Sequence, residues 1–284
     1  MKKLVYIFFS LLFIYGCSEE KQLTESNLDT DTPALNEIDI FLRENFTTPY
    51  NIEVFYKWNP NKVDFNRFLF PPNTETVISA MQAIKTIWLD TYNEIAGENF
   101  VKLIAPREIV LVGGFNINPS GTITLGLAEG GKRITFFNTD FVDLKDKEEL
   151  VRFVATIQHE YTHILNQNIP FDREVYEEIT PSGYTAQWFN SNDNDSRELG
   201  FISAYARSNE DEDFAEMVTA LLSNSNNEYN AIIDAITNEQ AKTDIKAKEA
   251  IIVKYFKTEF NLDIYELQRV AAENVEKVLN SYER

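Results

Sequence analysis

The sequence is poor in the residues that build most metal and disulfide scaffolds: among 284 residues it has one cysteine and two histidines. A disulfide framework, a cysteine-based zinc module and an iron–sulfur site are therefore excluded. Basic side chains are scarce relative to acidic ones, 26 against 45, for a formal charge of −19. That removes the electrostatic footprint a nucleic-acid partner would need. The apolar run from Leu4 to Ile14 is too short to cross a bilayer. What is present, 44% hydrophobic and 13% aromatic residues, is enough to bury one large core or two modest ones and excludes disorder over most of the chain.

Lys2 and Lys3 ahead of that apolar run give it the form of a secretory signal. The only cysteine, Cys17, follows Gly16 at the end of the run. This arrangement resembles a bacterial lipobox, which implies a signal peptide over 1–16 and acylation of Cys17, anchoring the chain in the outer membrane. Ser18, Glu19 and Glu20 resemble the acidic tag that sends lipoproteins to the cell surface in Bacteroidetes-type bacteria. Residues 17–36 are mostly polar and are expected to form a flexible tether ahead of a domain over 37–284.

Within that domain, period-two alternation predicts a strand from Asn51 to Trp58, and Ile109–Phe115 reads as a second. The segment TITLGLAEGGKRITFF reads as two strands joined by a turn at Glu129, Gly130 and Gly131. A helix is expected after Pro71 and Pro72, running to about Gly97. Another is bounded by Asp146, with Glu149 three positions on as in a capping box, and by Pro170 as its stop. Its buried stripe is Leu150, Val154, Ile157, Tyr161 and Ile164. Residues 171–207 read as a loop-dominated insertion. A helix capped by Ser208 and roughly three more after Tyr229 make 208–284 a helical C-terminal part.

The punctuated helix contains HEYTH. His159 and His163, four residues apart, lie on one face and can bind one zinc ion, with Glu160 placed to take a proton from water at the metal. Two histidines fall four apart by chance in only about 0.7% of their possible placements in this chain, before the intervening glutamate is required. A catalytic zinc site keeps three protein ligands and one open position. With no third histidine, the remaining ligand must be a carboxylate; the metzincin position six residues after His163 is Ile169. The candidates lie in SNEDEDFAEM: Glu212 first, then Asp213 or Glu216, with Glu177 or Glu178 as the more distant choice. Tyr184 and Tyr205 are candidate donors to the oxyanion that forms during amide hydrolysis. The ITFF strand is a candidate edge for an extended peptide.

EDFAE resembles the EGFA segment of zinc aminopeptidases, and the pattern is similar to gluzincins, in which a downstream glutamate completes the site and an acid four residues later orients a liganding histidine. Carried over, Glu212 is the third ligand and Glu216 the partner of His159, a glutamate where many gluzincins have aspartate. With the lipobox, PYNIEVFYKW from Pro49 and QHEYTHILNQ from Gln158, the chain resembles the substrate import-associated zinc metallohydrolase lipoproteins of Bacteroidetes, related to zinc-binding metallopeptidases. The resemblance implies an α+β, zincin-like fold, with a small mixed or antiparallel sheet on the HExxH helix and helices after it. It also implies one Zn2+ ion and a surface metallopeptidase acting on peptide or protein. Expected partners are a TonB-dependent transporter and a substrate-binding lipoprotein. Two other readings stand beside this: a noncatalytic lipoprotein that keeps zinc for stability while binding peptide or glycan, and a metal-free helix.

Overall fold

The computed structural model describes residues 34–64 and 66–283, so the expected signal peptide over 1–16, the lipidation site Cys17 and most of the 17–36 tether lie outside the described residues. A compact unit spans Asn36–Arg284. Among the described residues no helix is long and apolar enough to cross a membrane.

The unit is α+β. Helix α1 (Glu37–Leu42) is capped by Asn36 and runs through a π-helical stretch (Arg43–Thr47) to a left-handed stop at Asn51. Strand β1 (Glu53–Phe55) follows, shorter than the alternation predicts, because only these three residues register with a neighbour. Helix α2 (Thr74–Ile84) continues through a π-helical stretch (Lys85–Leu89) into α3 (Asp90–Ala96), and α4 is Glu98–Ile104. Strand β2 (Glu108–Leu111) also ends earlier than expected: Gly113 N–H bonds Phe70 C=O instead of a ladder partner.

Strands β3 (Asn116–Ile117) and β4 (Ile123–Thr124) form a separate two-stranded ribbon, while β5 (Gly126–Glu129) and β6 (Arg133–Phe136) are the predicted hairpin. Its turn uses Gly130 and Gly131, both at positive φ as a tight hairpin turn requires. The main sheet has the order β1-β2-β6-β5, parallel except for β5 against β6. ITFF is thus an interior strand, paired on both sides, and the expectation that it offers an edge is corrected: the open edge beside the long helix is β5. Period-two patterning reports faces and says nothing of a strand's place in the sheet.

Helix α5 (Lys147–Asn168) carries HEYTH. Asp146 caps it through the Glu149 N–H, but the Glu149 carboxylate accepts from Asp143 N–H, so the box is only half formed. It stops before Pro170, where Ile169 is extended, as a residue preceding proline favours. The predicted stripe is buried throughout. Tyr161 packs edge-on against Trp88 and Tyr92, which turns the flanking Glu160 and His163 away from the core. The irregular segment after it holds only the short helices α6 (Arg173–Glu177) and α7 (Asp193–Arg197) and brief 3-10 turns. Helices α8 (Glu210–Ser223), α9 (Asn226–Asp234), α10 (Glu239–Phe260) and α11 (Ile264–Tyr282) complete the chain. The cap of α8 is Asn209, not Ser208. Ser208 belongs to the preceding tight turn with helical φ and ψ, and the extended Asn209 accepts from the N–H groups of Asp211 and Glu212.

Candidate metal centre

Helix α8 lies against α5 with Phe214, Met217, Val218 and Leu221 fully buried, and this fixes which of its acids face HEYTH. Glu212 Oε2 lies 3.0 Å from His159 Nε2 and 3.3 Å from His163 Nε2, and the two ring nitrogens are 3.1 Å apart. Tetrahedral coordination at about 2.0–2.1 Å sets ligand atoms roughly 3.3–3.4 Å from one another, so this triangle fits one zinc ion. Among the described residues these three form the one group with the donor types and spacing for a metal. Asp213 is turned into the core, and Glu177 and Glu178 are exposed and outside the group.

One helical turn beyond Glu212, Glu216 Oε1 is 2.9 Å from His159 Nδ1. A proton on Nδ1 shared with that carboxylate leaves the Nε2 lone pair free for a cation, the arrangement that orients liganding histidines. Glu216 is itself held by the Ser203 hydroxyl at 2.5 Å, whose oxygen accepts from Ala206 N–H. Ser203 has no signal in the sequence, since it lies thirteen positions before Glu216 in an irregular segment. Burial disfavours charge on His159, but its bonds to Glu212 and Glu216 outweigh that and push the imidazole up to about 10. The Glu212 carboxylate, despite burial, is held far below the usual range by the two histidines. A cation held by Nε2 needs that nitrogen unprotonated, so metal binding competes with a proton there.

Glu160 faces the same space and is only 7% exposed. Burial raises its carboxyl, an effect tempered by the two histidines and by the Ala128 N–H of β5. The approach of β5 to α5 is close: a Cβ on Gly126 would lie 2.4 Å from Thr156 Cγ2 and 2.9 Å from Glu160 Oε1, so only glycine fits there. Because Phe137 N–H pairs with Leu125 C=O, alternation turns the main-chain groups of Gly126 and Ala128 toward the open edge.

The two tyrosine candidates separate. The Tyr205 ring stacks on His159 at 5.8 Å, its other neighbour is Trp188 at 4.8 Å, and its hydroxyl lies beside Glu212. The Tyr184 hydroxyl instead donates to Asp213 Oδ2 at 3.0 Å, away from the cleft, which removes its availability as an oxyanion donor. The cleft has two lobes that meet at His159, Glu160, Gly126 and Tyr205. One of about 430 Å³ runs along α5 toward Arg152, and one of about 450 Å³ runs toward Asn209, Glu210 and Asp211.

A family model described as "Putative zinc-binding metallo-peptidase" matches residues 31–265. Among solved structures, the chain is similar to one described as a "putative zinc-binding metallo-peptidase from Bacteroides caccae". The two are 27% identical, with a TM-score of 0.72, over 86% of this chain and 93% of that one. No curated protein matches.

Proposed function

The chain belongs to that family of zinc-binding metallopeptidases, and from this premise we propose that it is a zinc hydrolase cleaving peptide bonds with Glu160 as general base. The observation that carries the reading is the convergence of His159, His163 and Glu212 on one point with Glu160 facing the same open cleft. A purely structural metal site has no use for a second, unliganded carboxylate such as Glu160.

His159, His163 and Glu212 would hold the ion, which when bound would supply Lewis-acid polarisation of the scissile carbonyl and acidify water. The Glu160 carboxylate takes the proton from the attacking water and returns it to the departing amine. Tyr205 donates its hydroxyl to the oxyanion formed on the substrate. Glu216 and Ser203 hold His159 in one tautomer and orientation. An extended substrate lies along the β5 edge, where Gly126 presents main-chain groups.

The test is digestion of a proteome-derived peptide library. Cleavage is expected to stop on removal of metal by a chelator and to return with zinc, and Glu212→Ala is expected to neither retain zinc nor cleave. A Glu212→Ala protein with unchanged zinc content by metal analysis overturns the ligand assignment.

The N-terminal pattern and the family resemblance support a surface-exposed outer-membrane lipoprotein, acylated at Cys17, that trims material for a nutrient-import transporter. Membrane association that persists in Cys17→Ala would argue against that anchor.

A further inference from the structure

Arg152 stands out in the cleft. It is an exposed arginine on α5, seven residues before His159, and it is the one Arg or Lys side chain lining the lobe that runs from the metal centre along that helix. The chain has 45 acids, yet among the described residues no ion pair involves Arg152. Glu149, one turn before it, is engaged with Asp143 N–H. Glu160 and Glu216 line this lobe at its His159 end and Glu149 lines the recess beyond it, whereas the opposite lobe adds Glu210 and Asp211, so Arg152 marks the part of the cleft best suited to attract a negative group.

We propose that Arg152 is a specificity residue that binds a substrate carboxylate two to three residues from the scissile bond. This deepens the peptidase reading and rests on it. The distance follows from the helix: seven residues rise roughly 10 Å, and an extended peptide covers about 3.3 Å per residue. Arginine's planar fork suits a carboxylate, and the walls of the lobe formed by Leu125 and Trp188 lower the competition from water. The cleft does not end at Arg152. It continues into a recess of about 220 Å³ bounded by Phe115, Phe141 and Phe153, so the chain has room to go on and the carboxylate is an Asp or Glu side chain of the substrate.

The experiment uses zinc-loaded protein and peptides blocked at both ends that differ only by Glu or Gln two and three positions from the cleaved bond. Wild type is expected to favour Glu about five- to tenfold in kcat/KM, mostly through KM, with the preference shrinking as salt rises. Arg152→Ala loses the preference, Arg152→Glu reverses it and Arg152→Lys keeps part of it, each read as the Glu-to-Gln ratio of kcat/KM within one variant. A second readout is binding of the same peptides to Glu160→Gln with and without Arg152→Ala, followed by fluorescence anisotropy. Absence of any cleavage by wild type would overturn the peptidase reading, and the binding arm would still judge Arg152. Equal binding of Glu and Gln peptides, or a preference that survives Arg152→Glu, overturns the proposal. A preference seen only with a free C-terminus overturns its side-chain form.

Discussion

Glu160→Gln is expected to lower kcat on any cleaved peptide by about 10²–10⁴-fold, the range for loss of a positioned general base, while zinc content stays at the wild-type level. Glutamine matches glutamate in shape and still offers an oxygen to the Ala128 N–H, so the close fit of β5 at Gly126 is undisturbed. What it loses is the ability to hold a proton at neutral pH. Glu160 is outside the His159–His163–Glu212 triangle, so the substitution leaves the three residues proposed to hold the ion untouched. KM is expected to change only a few-fold, because the interaction removed is made in the transition state. Cleavage assays paired with metal analysis check both halves: activity within tenfold of wild type would remove Glu160 as the base, and loss of zinc would make it a ligand.

Sequence alone pointed to the convergence of His159 and His163 because helical periodicity turns a spacing of four into proximity, and the chain has no other histidines to confuse the reading. Glu212 was legible for a related reason: the apolar pattern of Phe214, Met217, Val218 and Leu221 fixes the face of α8 that packs inward, and so the face left to its acids. Features that depend on which distant segment arrives were not legible. Ser203 behind Glu216, Gly126 against Thr156 and the interior place of ITFF are products of tertiary assembly. Asn209 in place of Ser208 is a smaller case. Both residue types cap helices, and the tight turn over Tyr205–Arg207 decides which one is extended.

Least legible was the anchoring of α8 from behind, and it carries the second large effect. Asp213, next to Glu212, points into the core and meets Lys248 Nζ of α10 at 2.7 Å, both side chains fully buried. Lys248 also donates to Gly200 C=O and lies over the Phe201 ring at 3.8 Å, while Tyr184 donates to the same Asp213 oxygen. Burial pushes Asp213 up and Lys248 down, and their contact opposes both shifts. Lys248→Met removes the cation, leaves a buried carboxylate with a single neutral donor, and is expected to destabilise the fold by about 3–5 kcal/mol. For a domain of this size that is a fall of roughly 10 °C in Tm. Adding Asp213→Leu to Lys248→Met is expected to recover most of the loss, because an apolar pair leaves no unmatched charge. Thermal unfolding of metal-free wild type, single and double variants decides it. A single variant melting within about 2 °C of wild type would show that the pair contributes little. A double variant no better than the single would place the cost in packing around Phe201 and not in the orphaned carboxylate.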